Sequence, residues 1–276
     1  MTDITIVTVA YNSVAMLPGM AESLPPATPL VIVDNGPDDG LRGWALARRI
    51  TCLVPPENLG FGRACNLGAA GAVTEFLLFL NPDVRLHSRT LDELRAAAGR
   101  HPKAVAFGLA LTDASGHVSY KRRTRLAPHD FATPRQVPQA DTAVPALSGA
   151  AFMVRRRAFE AVGGFDPAIF LYYEDDDLSL RLRAAQGPLI FVPTAVATHF
   201  RGQSSPPSPT LSRFKGYHWA RSRIYTARKH GLPRPWLSGM RNALWHLISP
   251  KAWVSPARLA EALGRVSGAL SLLRAT

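Results

Sequence analysis

Short, uninterrupted apolar runs alternate along the first third of the chain with stretches of helical spacing. Ile4–Ala10 is rich in β-branched residues and has no helical period, so it reads as a strand. Leu30–Asp34, Thr51–Val54 and Glu75–Leu80 repeat the pattern. Helix-compatible stretches lie between them, near 15–24, 41–49 and 62–73. Strands that are apolar throughout must be covered on both faces, and helical crossovers supply that cover in a parallel sheet.

The pattern changes after residue 104. Ala104–Leu111 and Val118–Lys121 flank Asp113-Ala-Ser-Gly116 and read as a hairpin, and Thr124–Pro145 as a long loop. Ala150–Arg155 follows as a strand and Arg156–Val162 as a short helix. Leu178–Ala185 reads as a helix whose start is marked by Glu174-Asp-Asp-Asp177. Leu189–Val192 and Ala195–Phe200 are strands, and Ser212–His230 is a helix stopped by Gly231. No internal repeat is visible.

Ligands of open α/β sheets bind beyond the carboxyl ends of the strands. Tyr11-Asn12, Asp34-Asn35, Glu57-Asn58 and Asn81-Pro-Asp83 stand at those ends and should converge on one crevice. This expectation needs only topology.

Charge divides the chain. Residues 1–211 carry 20 Lys and Arg against 19 Asp and Glu, whereas residues 212–276 carry 12 against the single Glu261. Four of the five tryptophans also lie in the basic stretch, so it reads as a separate tail. The division is therefore a body, 1–211, and a tail, 212–276, with Gly202–Thr210 as a Ser- and Pro-rich linker. The tail suits an anionic membrane surface, a packed position on the body, or a second copy of the chain in a homodimer. Its final helix is marked by Ser255 as N-cap and Pro256, with Leu259, Leu263, Val266, Leu270 and Leu273 on one face. A nucleic-acid partner would need basic and aromatic residues across the body, which is almost neutral, so none is expected.

Cys52 and Cys65 are too few for a disulfide framework. The N-terminus lacks the basic start and long apolar stretch of a secretory signal. The densest apolar run, Phe76–Leu80, is far too short to span a bilayer. The chain is expected in the cytoplasm, peripheral at the inner face of the cell membrane.

Four features carry chemistry, each with a structural alternative. Glu174-Asp-Asp-Asp177 offers a general base, or merely carboxylates complementing a helix start. Asp83 is an oxygen ligand for a hard cation, or part of an Asn-Pro-Asp turn. Asn58-Leu-Gly60-Phe-Gly62 is a loop able to approach phosphate closely, or a tight strand–helix turn. His199 ends a strand-like run as a ligand or as an ordinary structural histidine.

Taken in order, these segments resemble the family 2 inverting glycosyltransferases of the GT-A fold, especially the rhamnosyltransferase-like branch. The resemblance covers about residues 4 to 230. It rests on Thr8-Val-Ala-Tyr-Asn12, Val31–Asn35, Glu57–Gly62, Cys65-Asn-Leu-Gly68, Phe79–Asp83, Leu147–Arg155, Gly163-Gly-Phe-Asp166, Phe170–Asp177 and His199–Ser204. It implies a GT-A (Rossmann-like), mostly parallel central sheet flanked by helices, with a C-terminal basic helical extension.

The resemblance also implies roles. Tyr11, Asp34, Asn58, Gly60, Gly62, Asn66 and Asn81 would line the nucleotide site, with Asp34 reading the pyrimidine. Asp83, standing where the family has its Asp-x-Asp, would bind Mg²⁺ or Mn²⁺, with His199 a second contact. Asp175 looks like the catalytic base, with Asp176 and Glu174 beside it as alternatives. The implied reaction moves a hexose from a nucleotide-diphosphate donor to a saccharide or lipid-linked hydroxyl; dTDP-rhamnose is the first expectation and a UDP-hexose the second. The rival readings are a nucleotidyltransferase and a degenerate transferase-like binding protein.

Overall fold

Alternation within each central strand divides the core in two. Ile4, Ile6 and Ala10 of β1 (Ile4–Ala10) face one side of the sheet, and Val7 the other. The computed structural model describes residues 3–130, 133–200 and 208–273. The chain continues through α1 (Leu17–Glu22), β2 (Leu30–Asp34), α2 (Leu41–Ala47), β3 (Thr51–Leu53), α3 (Phe61–Ala69) and β4 (Phe76–Leu80). Within β4, Phe76, Leu78 and Leu80 join the first core, and Leu77 and Phe79 the second. Helices α1 and α2 close the first face, and α3 the second.

The next elements are β5 (Val84–Leu86), α4 (Thr90–Arg100), β6 (Ala106–Thr112), β7 (Val118–Ser119), β8 (Thr142–Ala143), β9 (Ala151–Arg155) and α5 (Arg156–Ala161). Then come α6 (Glu174–Ala185), β10 (Leu189–His199), α7 (Pro209–Lys229), α8 (Pro235–Ile248) and α9 (Pro256–Ser271), with a 3-10 turn at Pro250–Val254. The sheet runs β3-β2-β1-β4-β9-β6-β10-β5. The β1–β4 half is parallel, as the apolar runs predict. β9 is antiparallel to both neighbours, and β5 is antiparallel to β10, so the whole sheet is mixed.

Three details depart from the pattern-based reading. α4 and β5 were not anticipated. The two strands expected at 189–192 and 195–200 are one strand, β10, with a register shift between Val192 and Val196 where Pro193 interrupts the pairing. Helix α6 starts at Glu174 itself, so all four acids lie inside its first turn. Of the Gly202–Thr210 linker, residues 202–207 lie outside the described residues, while Ser208 accepts from the Leu211 amide and caps α7.

The C-terminal helices pack on the body and on each other. Ser222 Oγ donates to the Leu171 carbonyl at 2.8 Å, and Tyr225 OH to Asp166 at 2.9 Å. Ser255 caps α9 as its sequence predicts. The leucine stripe of α9 does not form the contact, however. Leu263, Leu270 and Leu273 are 44%, 47% and 50% exposed, and Gly264, Gly268, Ala262 and Ala269 face inward instead. A Cβ on Gly264 would stand 2.1 Å from the Arg213 carbonyl oxygen, and one on Gly268 2.2 Å from that of Tyr217. Two backbones this close need glycine, which explains why leucine is turned outward. No helix among the described residues is long and apolar enough to cross a membrane.

Candidate active site

The crevice expected from topology is present. A cavity of about 230 Å³ opens beyond the β1, β2 and β4 ends and is lined by Tyr11, Asn58, Gly60, Asn81 and Asp83, with Ser13, Asn35 and Phe170. Leu211, Phe214 and Lys215 of α7 form the remaining wall, so the cavity draws on both sides of residue 211.

Its loop wall is held by amide chemistry. Asn35 Nδ2 donates to Asn58 Oδ1 at 2.9 Å and to the Gly60 carbonyl at 3.0 Å, while Asn35 Oδ1 accepts from the Leu59 amide at 2.8 Å. Asn58 Oδ1 also accepts from the Gly60 amide. The Phe61 amide then donates to the Phe170 carbonyl at 3.0 Å, tying the loop to the opposite wall. Gly60 has φ +75°, and a Cβ there would sit 2.1 Å from the Phe170 oxygen. Both the dihedral and the close approach require glycine. Phe170 is in turn stacked on His218 of α7, with ring centroids 4.2 Å apart.

Asp34, expected to read the pyrimidine, is buried and does not line the cavity; Arg42 Nε donates to its Oδ2 at 2.8 Å. Two further expected nucleotide contacts fall elsewhere. Asn66 uses both ends of its amide on the Phe165 backbone, donating at 2.8 Å and accepting at 2.9 Å. Gly62 packs against the Phe165 side chain. Neither lines the cavity, and both act at the joint between α3 and the Gly163–Asp166 turn.

Asp83 and His199 come together from opposite strand ends, Oδ1 to Nε2 at 3.3 Å, with the Phe200 amide donating to the Asp83 carbonyl. The antiparallel pairing of β5 with β10 creates this approach, since Val84 is in register with His199. His199 Nδ1 is buried without a partner. Among the described residues no group of three or more His, Cys, Asp or Glu side chains is placed to hold a metal.

The acidic helix start sits on a backbone in the left-handed region. Tyr172 and Tyr173 have φ of 68° and 69°, an arrangement costing about 1–3 kcal/mol per residue that persists where its surroundings enforce it. The four acids then separate by environment. Asp177 is fully buried and bound by Arg181, Lys229 and His230, which hold its carboxyl down at about 2 although burial opposes them. It is a structural anchor between α6 and α7.

Glu174 is buried, its Oε2 lacks a partner, and desolvation followed by the charge of Asp175 pushes its carboxyl up to about 8. Asp176 is raised as well, chiefly by burial and then by Asp175. Asp175 is more accessible. Its Oδ2 accepts from Lys121 Nζ at 2.8 Å and the Gly149 amide at 3.0 Å, and its Oδ1 from the Asp176 amide at 2.9 Å. Lys121 also reaches Asp176 Oδ2 at 3.1 Å.

None of the three acids lines the 230 Å³ cavity, but the backbone links the two. The Asn81 amide pairs with the Ala150 carbonyl, and the neighbouring Gly149 holds Asp175. One residue step along the chain therefore joins the Asn81–Asp83 turn to the acidic cluster. Asn35 lies at the crevice as its strand end predicts, while Lys121, Gly149 and Arg42 carry no role that the sequence reveals. Lys121 is one of 32 cations, in a short hairpin arm, and carries no local signal.

The chain matches the model of Glycosyl transferase family 2 over residues 5–163. It is 31% identical over 266 residues to N-acetylglucosaminyl-diphospho-decaprenol L-rhamnosyltransferase of Mycobacterium tuberculosis, covering 83% of this chain and 86% of that protein. It is 28% identical over 189 residues to rhamnosyltransferase WbbL of Escherichia coli, covering 62% of this chain and 71% of that one. Among solved structures, GalNAc-T7 with UDP, GalNAc and Mn²⁺ superposes with a TM-score of 0.60 at 16% identity, covering 88% of this chain and 57% of that chain. That last likeness concerns the fold, a mixed sheet wrapped by helices with its crevice at the strand ends. Fold, ordered motifs and sequence identity agree, and the chain belongs to glycosyl transferase family 2, as a rhamnosyltransferase-like member with the GT-A fold.

Proposed function

We propose that the protein transfers a hexose from a pyrimidine nucleotide-diphosphate donor to a hydroxyl of a lipid-linked saccharide, with inversion and Asp175 as the base. The observation that carries the reading is the adjacency of two unlike sites. A loop-closed cavity ending at Asp83 lies one residue step from a carboxylate fixed by Lys121 and Gly149. dTDP-rhamnose is the favoured donor, by similarity to the two rhamnosyltransferases, and a UDP-hexose the second.

A sugar hydroxyl is far too weak an acid to ionise at neutral pH, so it must give up its proton as it attacks. Asp175 receives that proton. The oxygen–anomeric carbon bond forms as the bond from that carbon to the diphosphate breaks, and the electron pair leaves with the phosphate. One in-line displacement inverts the centre. Lys121 pairs with both Asp175 and Asp176 and balances their charge, while Glu174 beside them keeps its proton.

Asp83 in the cavity wall and His199 beside it offer one carboxylate and one imidazole nitrogen, a mixed donor pair open to Mn²⁺ and, through the carboxylate alone, to Mg²⁺. Their number leaves room for phosphate oxygens and water. A cation held there would stabilise the charge gathering on the leaving diphosphate. Lys215 on the α7 wall adds positive charge from the protein itself. Phe170 and Phe214 exclude water from the donor and limit hydrolysis.

The basic, Trp-bearing C-terminal helices are proposed to rest on an anionic membrane where a lipid-linked acceptor resides, at its cytoplasmic face. Trp245, Ile248, Trp253 and Val254 are all about two-thirds exposed or more, at 67%, 69%, 67% and 71%. The test of the donor site is thermal unfolding of wild type and Asp83→Ala with UDP, dTDP or GDP, with and without Mn²⁺. A ligand at a hundredfold excess over its dissociation constant adds about 2.7 kcal/mol. A metal-dependent shift with dTDP or UDP, lost in the variant, is expected; the absence of any nucleotide shift contradicts the reading.

A further inference from the structure

A second set of hollows begins at Tyr173, the residue before the acidic cluster. At Tyr173 a hollow of about 310 Å³ lies between the 125–128 segment and helices α7 and α8. It shares Arg125, Arg223 and Ser238 with a neighbouring hollow of about 330 Å³ that adds Arg241, Asn242 and Trp245. Trp245 borders a third, of about 570 Å³, that runs to Lys251 and Arg258. The three follow one another through shared lining residues as a furrow, from Tyr173 at the acidic helix to Trp245 at the exposed Trp245–Val254 crest.

The first two hollows contain three arginines and no acid. The Arg125 and Arg241 side chains have no hydrogen bond or ion pair among the described residues. Arg223 has only long contacts, 3.5 Å to Tyr173 OH and 3.4 Å to Ser238 Oγ, and lies over the Trp219 ring at 5.4 Å. Asn242 Oδ1 is buried there without a donor. Three converging guanidinium groups without a carboxylate are arranged for an anion with several oxygens, and a diphosphate ester has that form.

The spacing fits one acceptor laid along the furrow. Tyr173 adjoins Glu174, and Arg125 lies four residues beyond Lys121, the partner of Asp175. Phe214, at the donor cavity, and Arg223 are nine residues apart on α7, about 14 Å along the axis. An acceptor laid from Asp175 to the arginines would place its sugar hydroxyl at the acid and its anomeric end toward the guanidinium groups. We propose that Arg125, Arg223 and Arg241 bind the diphosphate of a sugar–diphosphate–prenol acceptor, with the prenyl chain leaving over Trp245. The proposal rests on the transferase reading above, and deepens it by assigning the acceptor's phosphate subsite.

The test is calorimetric titration of the full chain with farnesyl diphosphate and with farnesol, in the presence of saturating dTDP or UDP. Wild type binds the diphosphate and not the alcohol. The Arg125→Gln/Arg223→Gln/Arg241→Gln variant weakens that binding at least tenfold and keeps its nucleotide shift. Arg125→Glu, on an exposed loop with no partner to lose, weakens it in the same direction and serves where the triple variant does not fold. Unchanged affinity in the variants overturns the proposal, as does displacement of farnesyl diphosphate by the nucleotide. Vesicles of phosphatidylglycerol form a separate arm: loss of vesicle recovery with unchanged farnesyl diphosphate affinity assigns the arginines to lipid headgroups and overturns it too. The titration needs no turnover. Binding as expected without sugar transfer to any acceptor defeats the transferase reading alone.

Discussion

Glu174→Gln isolates the most perturbed acid of the site. Glu174 is buried at the head of α6 with Oε2 unpartnered, and its carboxyl is pushed from 4.5 up to about 8 by burial and then by Asp175. A carboxyl with a raised folded-state pKa holds its proton more tightly folded than unfolded. Its stabilisation is complete below about 4.5, and it is lost as the pH rises to about 8. Each unit corresponds to about 1.4 kcal/mol, which places a ceiling near 5 kcal/mol. Rearrangement of side chains and entry of water on ionisation offset part of this, leaving an expected loss of about 2 kcal/mol. Glutamine keeps the shape and cannot ionise. Urea unfolding of both proteins at pH 5 and pH 8.5 gives the comparison, and the difference between them cancels groups they share. Wild type should lose about 2 kcal/mol more than Glu174→Gln over that interval. Parallel losses would refute the claim that Glu174 is held protonated beside Asp175.

Gly60→Ala places a methyl 2.1 Å from the Phe170 oxygen at φ +75°, so nucleotide affinity should fall at least tenfold by titration. Asp177→Ala leaves Arg181, Lys229 and His230 facing a vacancy, and should cost about 3–5 kcal/mol in urea unfolding with nucleotide affinity unchanged. The carboxyl it removes is lowered to about 2, so wild-type stability from this cluster is present above about 4 and declines as the pH falls toward 2. Gly264→Val pushes α9 off the Arg213 carbonyl, and hydrogen exchange should show faster α9 amides with the β1–β4 amides unaffected.

The parallel half of the fold is legible because β4 is apolar at every position and β1 and β2 carry only Thr5, Thr8 and the terminal Asp34 among apolar residues, a pattern that two-sided burial explains. Strand direction beyond β4 is not legible, because β9 has the same kind of apolar run whether it lies parallel or antiparallel. The convergence of Tyr11, Asn58, Asn81 and Asp83 follows from strand order alone. His199 joins Asp83 through the pairing of β5, a strand of only three residues whose sequence gives little sign of itself. Periodicity left the role of the α9 leucine face open for a definite reason. Leucine spacing marks a face, but the face that touches α7 was set by the steric allowance of Gly264 and Gly268. Likewise Asn66 sits in a motif beside the loop, yet a side-chain amide that matches a backbone N–H and C=O is satisfied by Phe165. Lys121 becomes visible only when the hairpin arm is folded over Asp175.

The central claim is that Asp175 takes the proton while a separate cavity holds the donor. Its most direct test is sugar transfer and nucleotide affinity measured together on wild type and Asp175→Asn. The side chain keeps its size, and Lys121 and Gly149 lose a charged acceptor without leaving a void. The account predicts a transfer rate reduced at least a hundredfold, the scale of a lost general base, with the nucleotide dissociation constant within about threefold of wild type. Transfer near the wild-type rate would contradict it.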